Sequence, residues 1–254
     1  AFHSDLKDIT YERSSSNAEV VQELFSPYKQ NKEFTDAFSE DEVQLFTKYV
    51  LNNFKGTVLI QDLVDAGYFS NLNSLLTKVP FDSRVRVLEL MWNKNQFITN
   101  LFVQLSEAIK SLNYSEVVYV SVDAIMPNDT TILDVARVNE LFKESNTADV
   151  DALLSGGGSA RVNRSVFSAL TKEVELCIDN TFENDKDRAF IETCDVLDFP
   201  GSKSRDKIPE SVFMANSPDQ KLQLFIRGKV SYLFDYFLDN QGVSSLIYCM
   251  DNHP

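Results

Sequence analysis

The sequence predicts an α/β protein with a helical first half and a second half in which short strands alternate with helices. Three observations carry that reading. Apolar residues recur at helical spacing from Asn17 to about residue 112. A β-rich run, Val117-Val118-Tyr119-Val120-Ser121-Val122, then breaks the period. Near the end, the continuous apolar run Val243-Ser244-Ser245-Leu246-Ile247-Tyr248-Cys249 suits a strand covered on both faces, as in a parallel sheet. The expected division is a helical region over 1–115, with a polar N-terminal arm, and an α/β region over 116–254.

Residues 1–16 are polar and read as an arm. Val20, Val21, Leu24 and Phe25 share a helical face before Pro27 stops the turn. Ser39-Glu40-Asp41-Glu42 is a capping box: the Ser39 hydroxyl can accept from an orphan amide while Glu42 reaches back. The helix it opens carries Val43, Phe46, Val50 and Phe54. Two shorter helical stretches end at Gly67 and Pro80. Asp82 is placed to cap the next one, with Val85, Leu88, Met91 and Trp92 on one side. Phe97, Ile98, Leu101, Phe102, Leu105 and Ile109 form the most regular stripe, read as core packing between helices.

In the second half, Asp134–Phe142 reads as a short helix. Ala152-Leu153-Leu154 and Ala160-Arg161-Val162 read as two strands around the turn Ser155-Gly156-Gly157-Gly158-Ser159. A helix is expected from Ser165 to about Glu173, then strands over Val174–Ile178 and Phe190–Leu197. Leu222, Ile226, Val230, Leu233, Phe234, Phe237 and Leu238 mark a long amphipathic helix ending near Gly242.

Asp and Glu total 38 against 24 Lys and Arg, a net charge of −14. Such a chain repels phosphate backbones, which excludes general nucleic-acid binding, and it lacks the basic face that anionic membranes attract. No apolar run approaches the ~18 residues of a membrane span. Cys177, Cys194 and Cys249 form no C-x-x-C pair and read as reduced thiols of a cytoplasmic protein. The two histidines, His3 and His253, lie near the ends, so histidine-based catalysis or metal binding is disfavoured.

One motif carries chemistry. Asp195-Val196-Leu197-Asp198-Phe199-Pro200-Gly201 ends an expected strand with D-x-x-G spacing. In P-loop GTPases an Asp so placed helps hold Mg²⁺, and a nearby glycine lets its amide approach the γ-phosphate. The following order of polar loop, long helix and buried strand is that of β3, switch II, α2 and β4 in such a domain. Lys203 and Arg205, in the loop Ser202–Lys207, are candidate phosphate contacts. The bland reading is a strand-end Asp198 that caps a solvated loop. Asp239-Asn240-Gln241-Gly242 repeats the spacing but precedes a strand. No G-x-x-x-x-G-K-[ST] occurs in the sequence, and Asn93-Lys94-Asn95-Gln96 lacks the Asp of a guanine reader and lies in helical text.

The stretch from Asp195 to Arg205 resembles the D-L-L-D-F-P-G-A-R-S-R segment of the SrfC-like putative bacterial virulence factor family. Arg227-Gly228-Lys229-Val230-Ser231-Tyr232-Leu233-Phe234-Asp235 resembles its R-G-K-V-A-Y-L-F-D, and Ile132–Val135 and Phe167–Thr171 its I-I-D-V and L-S-A-L-T. The resemblance implies a P-loop NTPase-like region in which the P-loop precedes a helical insertion and the D-F-P-G follows it. It carries over Asp198 as the Mg²⁺-side carboxylate and Gly201 as the γ-phosphate amide, with a guanine nucleotide bound in the intact protein. This chain then reads as a fragment without the P-loop, hydrolysing GTP or ATP only as part of a complete protein. The alternatives are a degenerate, nucleotide-free relative or a non-catalytic helical module that binds a protein partner.

Overall fold

The computed structural model describes residues 17–36, 38–124, 141–142, 148–175 and 218–240. Among them the fold is mixed α/β, mostly helical, with one three-stranded antiparallel sheet. The helical first half is built as its periodicity predicts. It comprises α1 (Asn17–Phe25), α2 (Glu40–Phe54), α3 (Val58–Asp65), α4 (Tyr68–Leu75), α5 (Arg84–Leu88) and α6 (Gln96–Ser111). The second half holds β1 (Val118–Val120), β2 (Asp149–Leu154), β3 (Ser159–Asn163), α7 (Arg164–Leu170) and α8 (Pro218–Asn240).

Local chemistry sets the boundaries. Ser39 and Glu42 form the capping box, with the Glu42 amide donating to Ser39 Oγ at 3.2 Å and the Ser39 amide to Glu42 Oε2 at 3.0 Å. Asn95 and Asn163 cap α6 and α7, each side-chain oxygen accepting from two amides of the first turn. Gly67 turns the chain from α3 to α4 at φ 72, a left-handed conformation that costs a side-chain-bearing residue energy.

Two expectations fail here. Asp82 does not cap α5; it lies in the 3₁₀ turn Phe81–Ser83 and pairs with Lys110. Asn93 and Lys94 are not helical, since both take positive φ (49 and 53) where the 3₁₀ turn Glu89–Trp92 ends and α6 begins.

The sheet runs β1-β2-β3, with Tyr119 opposite Leu153 and Ala152 opposite Ala160. The glycine hairpin is as predicted: Gly157 and Gly158 take φ 92 and 94, and the Gly157 amide donates to the Leu154 carbonyl at 3.0 Å. Alternation then buries Val150, packs Ala152 and Val162 against Leu112 and Phe167, and turns Asp149, Asp151 and Arg161 to solvent. Helix α7 starts at Arg164 and stops at Leu170, short of the expected Glu173. Val174 and Glu175 form no strand; the rest of that expected strand, 134–140, 190–197 and 243–249 lie outside the described residues.

The main core gathers Phe25, Val50, Ile60, Tyr68, Leu72, Met91, Trp92 and Ile98, and reaches Leu224 of α8. Polar side chains are buried in this half as well, Thr47, Asp62, Tyr68 and Arg84 among them. Tyr68 is fully buried and its hydroxyl donates to the Val87 carbonyl at 2.8 Å; burial pushes its pKa far above the ordinary phenol value. Arg84 is equally buried. Its guanidinium pairs with Asp36, donates from Nε to the Val79 carbonyl at 3.1 Å, and lies between the rings of Phe38 and Phe81. Burial lowers its pKa, and Asp36 opposes that shift. The pair ties the segment before α2 to the start of α5.

Truncating Arg84 to Ala leaves Asp36 without its partner and should cost about 3–5 kcal/mol of unfolding free energy, the usual penalty for breaking a buried pair. Urea denaturation of Arg84→Ala, Asp36→Ala and the double variant checks this, with the double variant losing less than the two singles combined.

Candidate functional site

Asp198, Gly201, Lys203 and Arg205 lie outside the described residues. The helix that follows them in sequence, α8, is described from Pro218 onward as 23 continuous residues, close to the expected extent. Its proline occupies the first turn, where the missing N–H costs nothing. Two seams hold α8 in place.

The first seam is with α7. Leu222 and Phe225 pack with Val166 and Ala169 of α7 and with Leu101 and Leu105 of α6. One turn on, Lys229 Nζ donates to the carbonyls of Ser168 and Ala169, both at 2.9 Å. The last carbonyls of a helix lack intrahelical partners and carry partial negative charge, so an ammonium there is favoured. Burial opposes this and pushes the Lys229 pKa down to about 8.

The second seam is with α2. Tyr232, Asp235, Tyr236 and Asp239 follow i, i+3, i+4, i+7 spacing and so share a helical face. They border a hollow of about 200 Å³ whose far wall is Leu45, Tyr49 and Asn52 of α2. Tyr49 and Tyr232 meet edge to face at 5.1 Å, and Tyr232 and Tyr236 are 6.3 Å apart. The carboxylates are partnered: Lys48 Nζ donates to Asp239 Oδ2 at 2.7 Å, and Asn53 Nδ2 to Asp235 Oδ2 at 3.1 Å. Lys172, two residues past the end of α7, places its Nζ 3.7 Å from the Tyr236 ring centre. The Tyr232 hydroxyl is pushed up to about 12, first by burial and then by the Glu42 charge and its tyrosine neighbours. It is a neutral phenol at physiological pH, so the hollow offers carboxylates and aromatic faces.

Among the described residues no cluster of His, Cys, Asp and Glu could hold a metal ion. No described helix is long and apolar enough to cross a membrane. The α2–α8 hollow escapes sequence reasoning because Lys48 and Asp239 are 191 residues apart. The one available signal was the repeat of Tyr and Asp along one face of the predicted helix.

In comparison with known proteins, the model of a family described as "Putative bacterial virulence factor" covers residues 1–254. No curated protein and no solved structure matches.

The Lys229 pKa makes a signed prediction. The folded ammonium loses its proton near pH 8, whereas the unfolded side chain keeps it to about 10.5. Between those values the unfolded chain binds more protons, so stability rises with pH; below about 8 Lys229 contributes no slope. Measured by urea denaturation at about pH 7.5 and about pH 10, the unfolding free energy of wild type relative to Lys229→Met should increase, by no more than about 3 kcal/mol.

Proposed function

This chain belongs to the family described as "Putative bacterial virulence factor", and we propose that it supplies the magnesium and γ-phosphate side of a nucleotide site in the intact protein. Residues 1–115 are its helical insertion and 116–254 its motif-bearing region. Asp198 is the metal-side carboxylate. Its donor type fits: magnesium takes hard oxygen ligands, keeps several waters and is commonly held by one or two carboxylates plus phosphate oxygens. Gly201 offers a backbone amide to the γ-phosphate without a Cβ in the way. Lys203 and Arg205 offer charge to the phosphates. A bound magnesium ion would neutralise phosphate charge as it develops during transfer. The P-loop, with its lysine, is absent from these 254 residues and must come from elsewhere in the protein.

The single observation that carries this reading is Asp198-Phe199-Pro200-Gly201, at the end of an apolar run and followed by a polar loop and a long helix. The structure of α8 supports the last part of that order. So does its anchorage by Lys229, since a helix behind a nucleotide-sensing loop needs a fixed base.

The test is calorimetric titration of the intact protein with GTP, and in parallel ATP, with and without Mg²⁺. Asp198→Ala should weaken magnesium-dependent binding at least about tenfold, near 1.4 kcal/mol, and lower hydrolysis. Equal binding and turnover in wild type and variant would reject the assignment.

A further inference from the structure

We propose that the hollow between α2 and α8 takes an arginine side chain from a basic segment of a partner protein. None of its residues belongs to 198–205, so the inference stands apart from the nucleotide reading.

The walls are of two kinds, and each already holds an ammonium group from this chain. Asp239 holds Lys48 at 2.7 Å, and the face of Tyr236 holds Lys172 at 3.7 Å. Both lysines are exposed. Exposed pairs of this sort contribute little, so exchanging a resident lysine for an incoming cation costs little. The incoming group gains more when it is a guanidinium. It is planar, it can engage a carboxylate with two parallel N–H donors, and it stacks on aromatic rings, where an ammonium is a point charge.

The local charge favours the exchange. Asp235, Asp239 and Glu42 face this seam against Lys48 and Lys172. The whole chain carries −14, which draws a basic segment towards it and repels an acidic one. The hollow, about 200 Å³, admits one long side chain rather than a folded element. The rest of the segment would lie along the exposed ridge of Leu238 and Asp239.

The test is calorimetric titration of this chain, at low and moderate salt, with a capped octapeptide of alternating arginine and glycine. The same peptide with citrulline in place of arginine keeps the shape and removes the charge. The arginine peptide should bind and the citrulline peptide should not. Asp239→Asn and Tyr236→Leu should each weaken binding at least about fivefold, with far-ultraviolet circular dichroism confirming that both variants fold; Asp239→Asn changes only an exposed side chain and keeps the test decisive if Tyr236→Leu unfolds. Lys48→Ala, which removes the resident cation, should tighten binding more than Lys29→Ala, which makes the same charge change at an exposed lysine that does not line the hollow. The proposal is overturned by absence of arginine-peptide binding at millimolar concentration. Equal binding of the citrulline peptide, no effect of Asp239→Asn, or equal tightening by Lys48→Ala and Lys29→Ala overturns it as well.

Discussion

The contact on which the second half depends is a lysine held by the end of a helix. A 23-residue helix such as α8 presents side chains all round, and this one contacts α7 on one side and α2 on another. Lys229 is half-buried on the α7 side. Its ammonium is tolerable there because α7 stops at Leu170 and leaves the Ser168 and Ala169 carbonyls open. Had α7 run on to Glu173, those carbonyls would have been spent on the next turn. The early stop therefore sets the register of α8. It also delivers Lys172 to the face of Tyr236, two turns along from Lys229. One helix terminus thus fixes both the helix after the D-x-x-G loop and one wall of the α2–α8 hollow.

The helical half solves the same problem in another way. Arg84 is enclosed by Phe38 and Phe81 and neutralised by Asp36, so a charge is carried inside an aromatic box. Replacing such pairs by apolar residues is often harmless, whereas removing one partner is not. The arrangement acts as a device for position: it holds the stretch before α2 against the start of α5.

What could be read from the sequence follows the range of the interactions. The Ser39–Glu42 box, the Gly156–Gly158 hairpin and the span of α8 are local, and each was legible within a few residues. Asp82 departs from its expected role because the 3₁₀ turn Phe81–Ser83 puts Ser83 at the position before α5, and Asp82 pairs instead with Lys110, 28 residues away. Asn93 and Lys94 were misread because two consecutive left-handed residues are rare outside glycine, and nothing in their neighbours announces them. The hollow was invisible because it joins α2 to a helix some 190 residues later, and periodicity marks a face without naming what that face meets. The D-x-x-G segment was legible only as chemistry: its residue types suit magnesium and phosphate, and its place in space rests on residues outside those described.

Trp92 is the sole tryptophan of the chain and is almost wholly buried, its indole N–H donating to Thr99 Oγ1 at 2.9 Å while its ring packs near Phe102 at 5.8 Å. Intrinsic tryptophan emission from this protein therefore reports on the helical half alone. A ligand or partner that rearranged only the sheet would leave that emission unchanged, so a silent fluorescence titration says nothing against binding elsewhere. A shift in colour, by contrast, means that water has reached the packing around α6.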